Sequence, residues 1–387
     1  MPELTYFDYA ATTPVDSRVL EAMLPYFSEM FGNPSSVHRL GQRAEAAVES
    51  ARETVAAELH CRPDEIVFTS CGTESDNLAL RGAAMARRAG TGADRIVTSR
   101  AEHHAVSKTA EQLEQHYGFQ VDWLATDAYG MVTPEAVERA IRPGTALVSV
   151  MAANNEIGTL NPLAEIAEIC RAHGVPFHSD AVQAAAYLPL DVLSLGVDLL
   201  SLGAHKFYGP KGVGVLYVRK GSALLPVQTG GGQESGLRAG TQNVPYIVGF
   251  AEAFRLTAAE RGQRAAHVRP LRDQIIGRVL EEIPEVRLTG HPEQRLPNHA
   301  SFAFKDMDGN LLLTLLDAAG FACSSGSACK TGNPEPSEVM AAIGLPRQWG
   351  LGSLRVTLGR DSTAAQVEAF LQALLGLVQK ARNLKRR

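Results

Sequence analysis

Apolar residues recur at Ala44, Ala47, Val48, Ala51, Val55 and Leu59. Steps of three and four put them on one face of a helix. The period then changes. Ile66-Val-Phe-Thr-Ser70 is a short β-rich run, and further strand-like runs lie at 95–98, 146–151, 175–178, 199–202 and 214–218. Helical spacing falls between most of them, around 105–117, 134–141 and 163–173. This order predicts a mainly parallel sheet covered by helices. The runs at 199–202 and 214–218 are split by Gly209-Pro-Lys-Gly-Val-Gly214, which predicts a hairpin with one antiparallel strand.

Around residues 256–266 the pattern becomes polar and helical. Strand-like pieces follow at 285–288 and 301–304, then helices, then an amphipathic helix from about 363 to 381. The chain is therefore read as α/β. A large domain covers 15–258, and a smaller α+β domain covers 259–387 with residues 1–14 packed on it. There are no internal repeats and no low-complexity segments.

Composition narrows the function classes. The chain has 387 residues, enough for two such domains, with 45% hydrophobic and 20% charged residues, as in soluble globular proteins. A net charge of -5 gives no basic excess for nucleic acid and no acidic tract. No run of about 18 apolar residues is present to cross a membrane. The start, Met-Pro-Glu-Leu-Thr-Tyr-Phe-Asp, lacks a cationic, apolar leader, so a cytoplasmic protein is expected. Cys61, Cys71, Cys170, Cys323 and Cys329 are an odd, sparse set without a CxxC. That argues against a disulfide framework, and the spacing of Cys323 and Cys329 is not that of a zinc site. No metal is expected.

Lys206 follows an apolar run, and Asp180 ends another strand-like run twenty-six residues earlier. A lysine and an acid at neighbouring strand ends are what pyridoxal phosphate chemistry needs. The amine forms the Schiff base, and the carboxylate keeps the pyridine nitrogen protonated so that the ring is an electron sink. Gln183 would bond the ring hydroxyl oxygen. Gly72 lets the backbone approach a phosphate, Thr73 adds a hydroxyl, and the N–H groups of the helix starting there face an anion. His205 would bind phosphate or cap its strand. His103, beside His104, would stack on the ring and shuttle protons. Asn155 suits a ring oxygen or a substrate carboxylate, and the Arg355 fork suits that carboxylate. Cys329 lies in Ala322-Cys-Ser-Ser-Gly-Ser-Ala-Cys329-Lys, where small residues leave a thiol accessible and the lysine favours thiolate. Each feature has a plain structural alternative: an N-cap, a turn acid, a surface lysine, an edge arginine, a flexible loop with incidental cysteines.

With these pieces in order, the chain closely resembles the cysteine desulfurases of the fold-type I, class V aminotransferase group. The likeness runs from Phe7-Asp-Tyr-Ala-Ala-Thr-Thr-Pro14 to about Arg360. It is carried by Phe31-Gly-Asn-Pro-Ser-Ser36, Asn154-Asn-Glu-Ile-Gly, Ala204-His-Lys-Phe-Tyr-Gly-Pro-Lys-Gly, Gly230-Gly-Gly-Gln-Glu-Ser-Gly-Leu-Arg-Ala-Gly-Thr241 and Ser324-Ser-Gly-Ser-Ala-Cys329. The resemblance implies a pyridoxal phosphate enzyme in which Lys206 is the Schiff-base lysine. Asp180 and Gln183 hold the ring, Thr73 and His205 hold the phosphate, and His103 stacks and transfers protons. Asn155 and Arg355 bind the substrate carboxylate. Thr241 reaches the phosphate of the other subunit, which makes the enzyme an obligate homodimer. Cys329 is the nucleophile that takes sulfur from L-cysteine, giving L-alanine and a persulfide. The distance from Cys329 to Glu335-Pro-Ser resembles the long-loop group, whose acceptors are an iron–sulfur scaffold protein or tRNA-thiolation proteins. A selenocysteine lyase or a small-amino-acid aminotransferase of the same fold is the alternative. The chain departs from the family pattern in two places. Gly203 stands where relatives carry a phosphate-binding serine, and Cys323 is absent from many of them; it is either packing or a persulfide acceptor. The basic end, 380–387, is either a helix terminus or a docking surface.

Overall fold

The computed structural model describes residues 4–325 and 335–385. The chain enters through β1 (Thr5–Tyr6) and passes a helix at Arg39–Leu59 whose buried face carries Ala44, Val48, Ala51, Val55 and Leu59, the predicted stripe. The central sheet then forms from β2 (Ile66–Thr69), β3 (Arg95–Ser99), β4 (Gln120–Leu124), β5 (Thr145–Ser149), β6 (Phe177–Asp180), β7 (Leu199–Gly203) and β8 (Gly214–Val218). Its order is β2-β8-β7-β6-β5-β3-β4, and every pairing is parallel except those of β8. β7 and β8 are the expected antiparallel pair. β2, β5, β6, β7 and β8 are buried along their whole lengths, and all but β6, which is Phe-His-Ser-Asp, read as short mainly apolar runs rather than as alternation.

β4 has no counterpart among the predicted strands. It is the sheet edge, half exposed, with Gln120 and Asp122 in the strand, so its text is polar. Asp122 pairs with Arg95 on β3 at 2.9 Å.

The second half begins with one helix, Val244–Glu282, which runs unbroken through residues 256–266. The polar stretch there is the exposed side of that helix, and residue 258 lies inside it. β9 (Val286–Leu288), β10 (His299–Phe304), β11 (Phe321–Ala322) and β12 (Ser353–Thr357) follow. β12-β10-β9 is an antiparallel sheet, β1 pairs parallel with β11, and the last helix is Ala364–Lys385. Phe7, fully buried, packs its ring edge-on against Phe370, 5.6 Å between centroids. Asp8 bridges to Thr357, and five residues later the same segment reaches the turn just after β7, where Thr13 N–H donates to the His205 carbonyl at 2.9 Å. The N-terminal segment thus ties both sheets together at the carboxyl ends of the parallel strands, where α/β folds place ligands. No helix among the described residues is long and apolar enough to cross a membrane.

Candidate active site

A cavity of about 240 Å³ opens at those strand ends. Gly72, Thr73, His103, Asn155, Asp180, Gln183, His205, Lys206 and Arg355 all line it, although they come from six separate stretches of chain. Thr241 does not; it is exposed on the surface just before the long helix. Cys329 lies outside the described residues. A larger cleft, about 620 Å³, surrounds the Arg52–Glu234 ion pair and contains none of the predicted site residues.

Lys206 sits in a single turn after β7, and its Nζ donates to the carbonyls of Ala10 and Ala11, both at 2.7 Å. Burial, then the charge of Arg355, pushes the amine down to about 8 from an ordinary 10.5. A substantial neutral fraction near physiological pH is what a nucleophilic amine requires. Asp180, the last residue of β6, is 5% exposed, and its Oδ1 accepts from Val182 N–H at 2.9 Å. Burial raises its carboxyl, while His103 and Lys206 act against that rise. A cation beside this acid is therefore the group that would fix its charge.

His103 caps the helix His104–Tyr117 through Nδ1, which accepts from Ala105 N–H at 3.1 Å. Burial lowers its basicity, with Asp180 acting against that and Lys206 adding to it, which favours the neutral imidazole. The next residue, His104, begins the helix and does not line the cavity. His205 points its Nδ1 at Thr12 Oγ1, 3.2 Å away, and burial lowers it to about 4. The Gln183 amide donates to the Ala10 carbonyl at 2.9 Å.

The anion end is the start of a 20-residue helix, Gly72–Thr91. A Cβ on Gly72 would lie 2.7 Å from Val182 Cγ2, so a larger residue would have to displace Val182, which also lines the cavity. A Cβ on Gly203 would instead find ordinary contacts, 3.4 Å to Gly72 N and 3.6 Å to Val182 Cγ1.

At the opposite end, Arg355 on β12 donates to the Asn155 carbonyl at 2.7 Å and to Asp8 Oδ1 at 2.8 Å. Its backbone pairs in both directions with Ser324, N–H to carbonyl at 2.7 and 3.2 Å. The Asn155 Oδ1 is buried without a partner among the described residues. Cys323, half-buried near Asp8, has its thiol pushed up by desolvation, which fits packing better than chemistry.

Sequence reasoning missed Asp8, Asp76 and Glu102. Asp76 is 1% exposed, and one ligating atom of each of Asp76, His103 and Asp180 lies within 4.8 Å of the others. Burial and the neighbouring Asp180 raise Asp76. Glu102 accepts from Met151 N–H at 2.7 Å, and burial raises it too. The available signal was positional: Asp76 is one helical turn beyond Gly72, and Glu102 adjoins His103.

These residues fit pyridoxal phosphate: a partly neutral lysine, a buried acid awaiting a cation, a glycine cradle at a helix N-terminus and an unpaired buried amide oxygen. The pattern of the aminotransferase class-V family matches residues 5–370. The chain is 48% identical to "Cysteine desulfurase IscS" of Methanosarcina thermophila, over 98% of this chain and 93% of that one. It is 44% identical to "IscS-like cysteine desulfurase" of Mycobacterium tuberculosis, over 98% and 97%. Among solved structures, a "NifS-like protein" superposes with a TM-score of 0.91 at 38% identity, covering 97% of this chain and 100% of the other. "SspA in complex with cysteine" gives 0.79 at 37%, covering 92% and 99%.

Proposed function

Since the chain belongs to the aminotransferase class-V family and is a cysteine desulfurase like its IscS and NifS relatives, we propose that the cavity around Lys206 binds pyridoxal phosphate and L-cysteine together. The observation that carries this is the convergence of Lys206, Asp180 and Arg355 on one cavity. When bound, the cofactor supplies an aldehyde that condenses with amines and a ring that withdraws electrons from the substrate α-carbon.

The chain's own residues do the rest. Gly72, Thr73 and His205 hold the phosphate. Asp180 keeps the ring nitrogen protonated, and this ring cation suits the Asp76–His103–Asp180 grouping better than a metal does, with Lys206 so near. Gln183 bonds the ring oxygen. Arg355 and Asn155 hold the substrate carboxylate, Arg355 exchanging a contact with Asp8 or the Asn155 carbonyl for it. Lys206 or His103 takes the α-proton. The Cys329 thiolate attacks the substrate sulfur. An S–S bond forms, the substrate Cβ–S bond breaks, and its electron pair returns to Cβ. Protonation there, and return of a proton to the α-carbon, give L-alanine, and the persulfide stays on Cys329. "SspA in complex with cysteine" supports a site of this shape for that substrate.

An iron–sulfur scaffold protein or a tRNA-thiolation protein is the proposed acceptor. The proposed assembly is a cytoplasmic homodimer in which the exposed Thr241 reaches the phosphate held by the other subunit. Light scattering of the purified protein tests the dimer.

The activity is tested with purified protein, L-cysteine and a thiol reductant, measuring alanine and sulfide together, with Cys329→Ala alongside. Equal amounts of both, lost in the variant, are expected. Sulfide persisting in the variant would remove Cys329 from the mechanism and favour a selenocysteine lyase.

A further inference from the structure

The turn Asn154–Gly158 faces two ways. Asn155 looks into the cavity, and Glu156 looks out of it. The Glu156 Oε2 accepts from Ser337 Oγ at 2.6 Å. Ser337 in turn caps the short helix Glu338–Ala342, its Oγ accepting from Met340 N–H at 3.2 Å. Ile157 packs in a buried cluster with Val339, Met340 and Ile343. Glu338 is tied to Lys108 at 3.1 Å. On the other side of the same turn, the Asn155 carbonyl is held by Arg355, which pairs with Ser324.

Ser324 therefore hangs on Arg355 of the substrate-carboxylate site, and Ser337 on Glu156, the neighbour of Asn155. Cys329 is five residues from the first and eight from the second. Extended chain covers at most ~3.6 Å per residue. The two anchors bound how far a thiol between them can travel from the Asn154–Gly158 turn, and a shorter tether means a higher effective concentration. With one anchor gone the same thiol searches a larger volume.

We propose that Glu156 is a positioning residue for sulfur abstraction: by holding Ser337 it fixes where the chain re-enters the fold after Cys329, and so keeps the thiol within reach of the substrate. This rests on Cys329 being the nucleophile. Glu156 touches neither substrate nor cofactor. Burial pushes its carboxyl up to about 7, so glutamine, a neutral isostere with an acceptor oxygen, preserves the contact.

Two reactions of the holoenzyme separate positioning from general damage. Exchange of the α-proton of L-alanine in D₂O, followed by proton NMR, needs the cofactor and the base, Lys206 or His103, but no sulfur and no Cys329. Alanine formation from L-cysteine needs all of them. In Glu156→Ala the exchange rate should stay within twofold of the native protein, while turnover of L-cysteine falls about tenfold, the size expected when one hydrogen bond no longer orients a reacting group. Glu156→Gln should restore most of the turnover. Ser337→Ala should match Glu156→Ala, and the double variant should be no worse than either. A parallel fall in exchange would make Glu156 a structural residue. Native turnover in Glu156→Ala would end the proposal with Cys329 still the nucleophile. Cys329→Ala retaining turnover would remove the premise and the proposal together.

Discussion

Replacing Lys206 by methionine should stabilise the cofactor-free protein, and by an amount that depends on pH. The folded protein holds the Lys206 amine at about 8, against an ordinary 10.5, because the ammonium is buried next to Arg355. Below pH 8 both folded and unfolded chains are protonated, and the folded chain bears the full cost of a desolvated cation. Between 8 and 10.5 the unfolded chain binds more protons than the folded one, so stability rises with pH. Above 10.5 neither is charged and the cost is gone. The shift corresponds to about 3 kcal/mol, of which about 2 kcal/mol is recovered between pH 7 and pH 10. Methionine has no charge to bury. It also loses the bonds to the Ala10 and Ala11 carbonyls, a loss largely independent of pH. Urea unfolding of both cofactor-free proteins from pH 7 to 10 should therefore show the native protein gaining about 2 kcal/mol on Lys206→Met across that range. Parallel curves would refute the argument, since they would mean that the carbonyls and Asp180 fully offset desolvation. The same shift predicts that cofactor loading speeds up as pH approaches 8 and then levels off.

Three further outcomes follow from the geometry. Gly203→Ser has room for its Cβ and should tighten pyridoxal phosphate binding by about two- to tenfold, the value of one neutral hydrogen bond; equilibrium dialysis measures it, and Gly203→Ala should show no gain. Asp180→Asn should lower alanine formation by at least about a hundredfold by removing the ring's counter-charge, with a displaced cofactor absorption band as the independent sign. Arg52→Met strips the partner from Glu234, which is 6% exposed and paired at 2.8 Å. Urea unfolding should show a loss of about 3–5 kcal/mol, and Arg52→Met with Glu234→Met should recover part of it.

Most of the central strands were legible because burial on both faces makes them apolar runs, and the helix at 39–59 because one face alone is buried. β4 was not, because an edge strand half in water carries polar residues. The long helix Val244–Glu282 was read as a change of region, because its buried positions, from Val244 to Val279, sit among a polar exposed side. Within the site, Lys206, Asp180, His103 and Arg355 could be named from strand-end positions and text. Asp8 and Ala10 could not be assigned their contacts, since nothing local says that the N-terminal segment crosses from Thr357 to Lys206.

Residue types and strand ends are properties of the sequence, and they determined by themselves that a lysine, an acid, a glycine-opened helix and a thiol were available in the right order. Which charges face one another is not such a property. The amine near 8, the raised Asp180 and Asp76, and the grip of Glu156 on Ser337 across 181 residues exist only once the sheet order and the returning N-terminal segment exclude water from one cavity. Desolvation and Coulomb interactions depend on distance in space, and distance along the chain does not contain it.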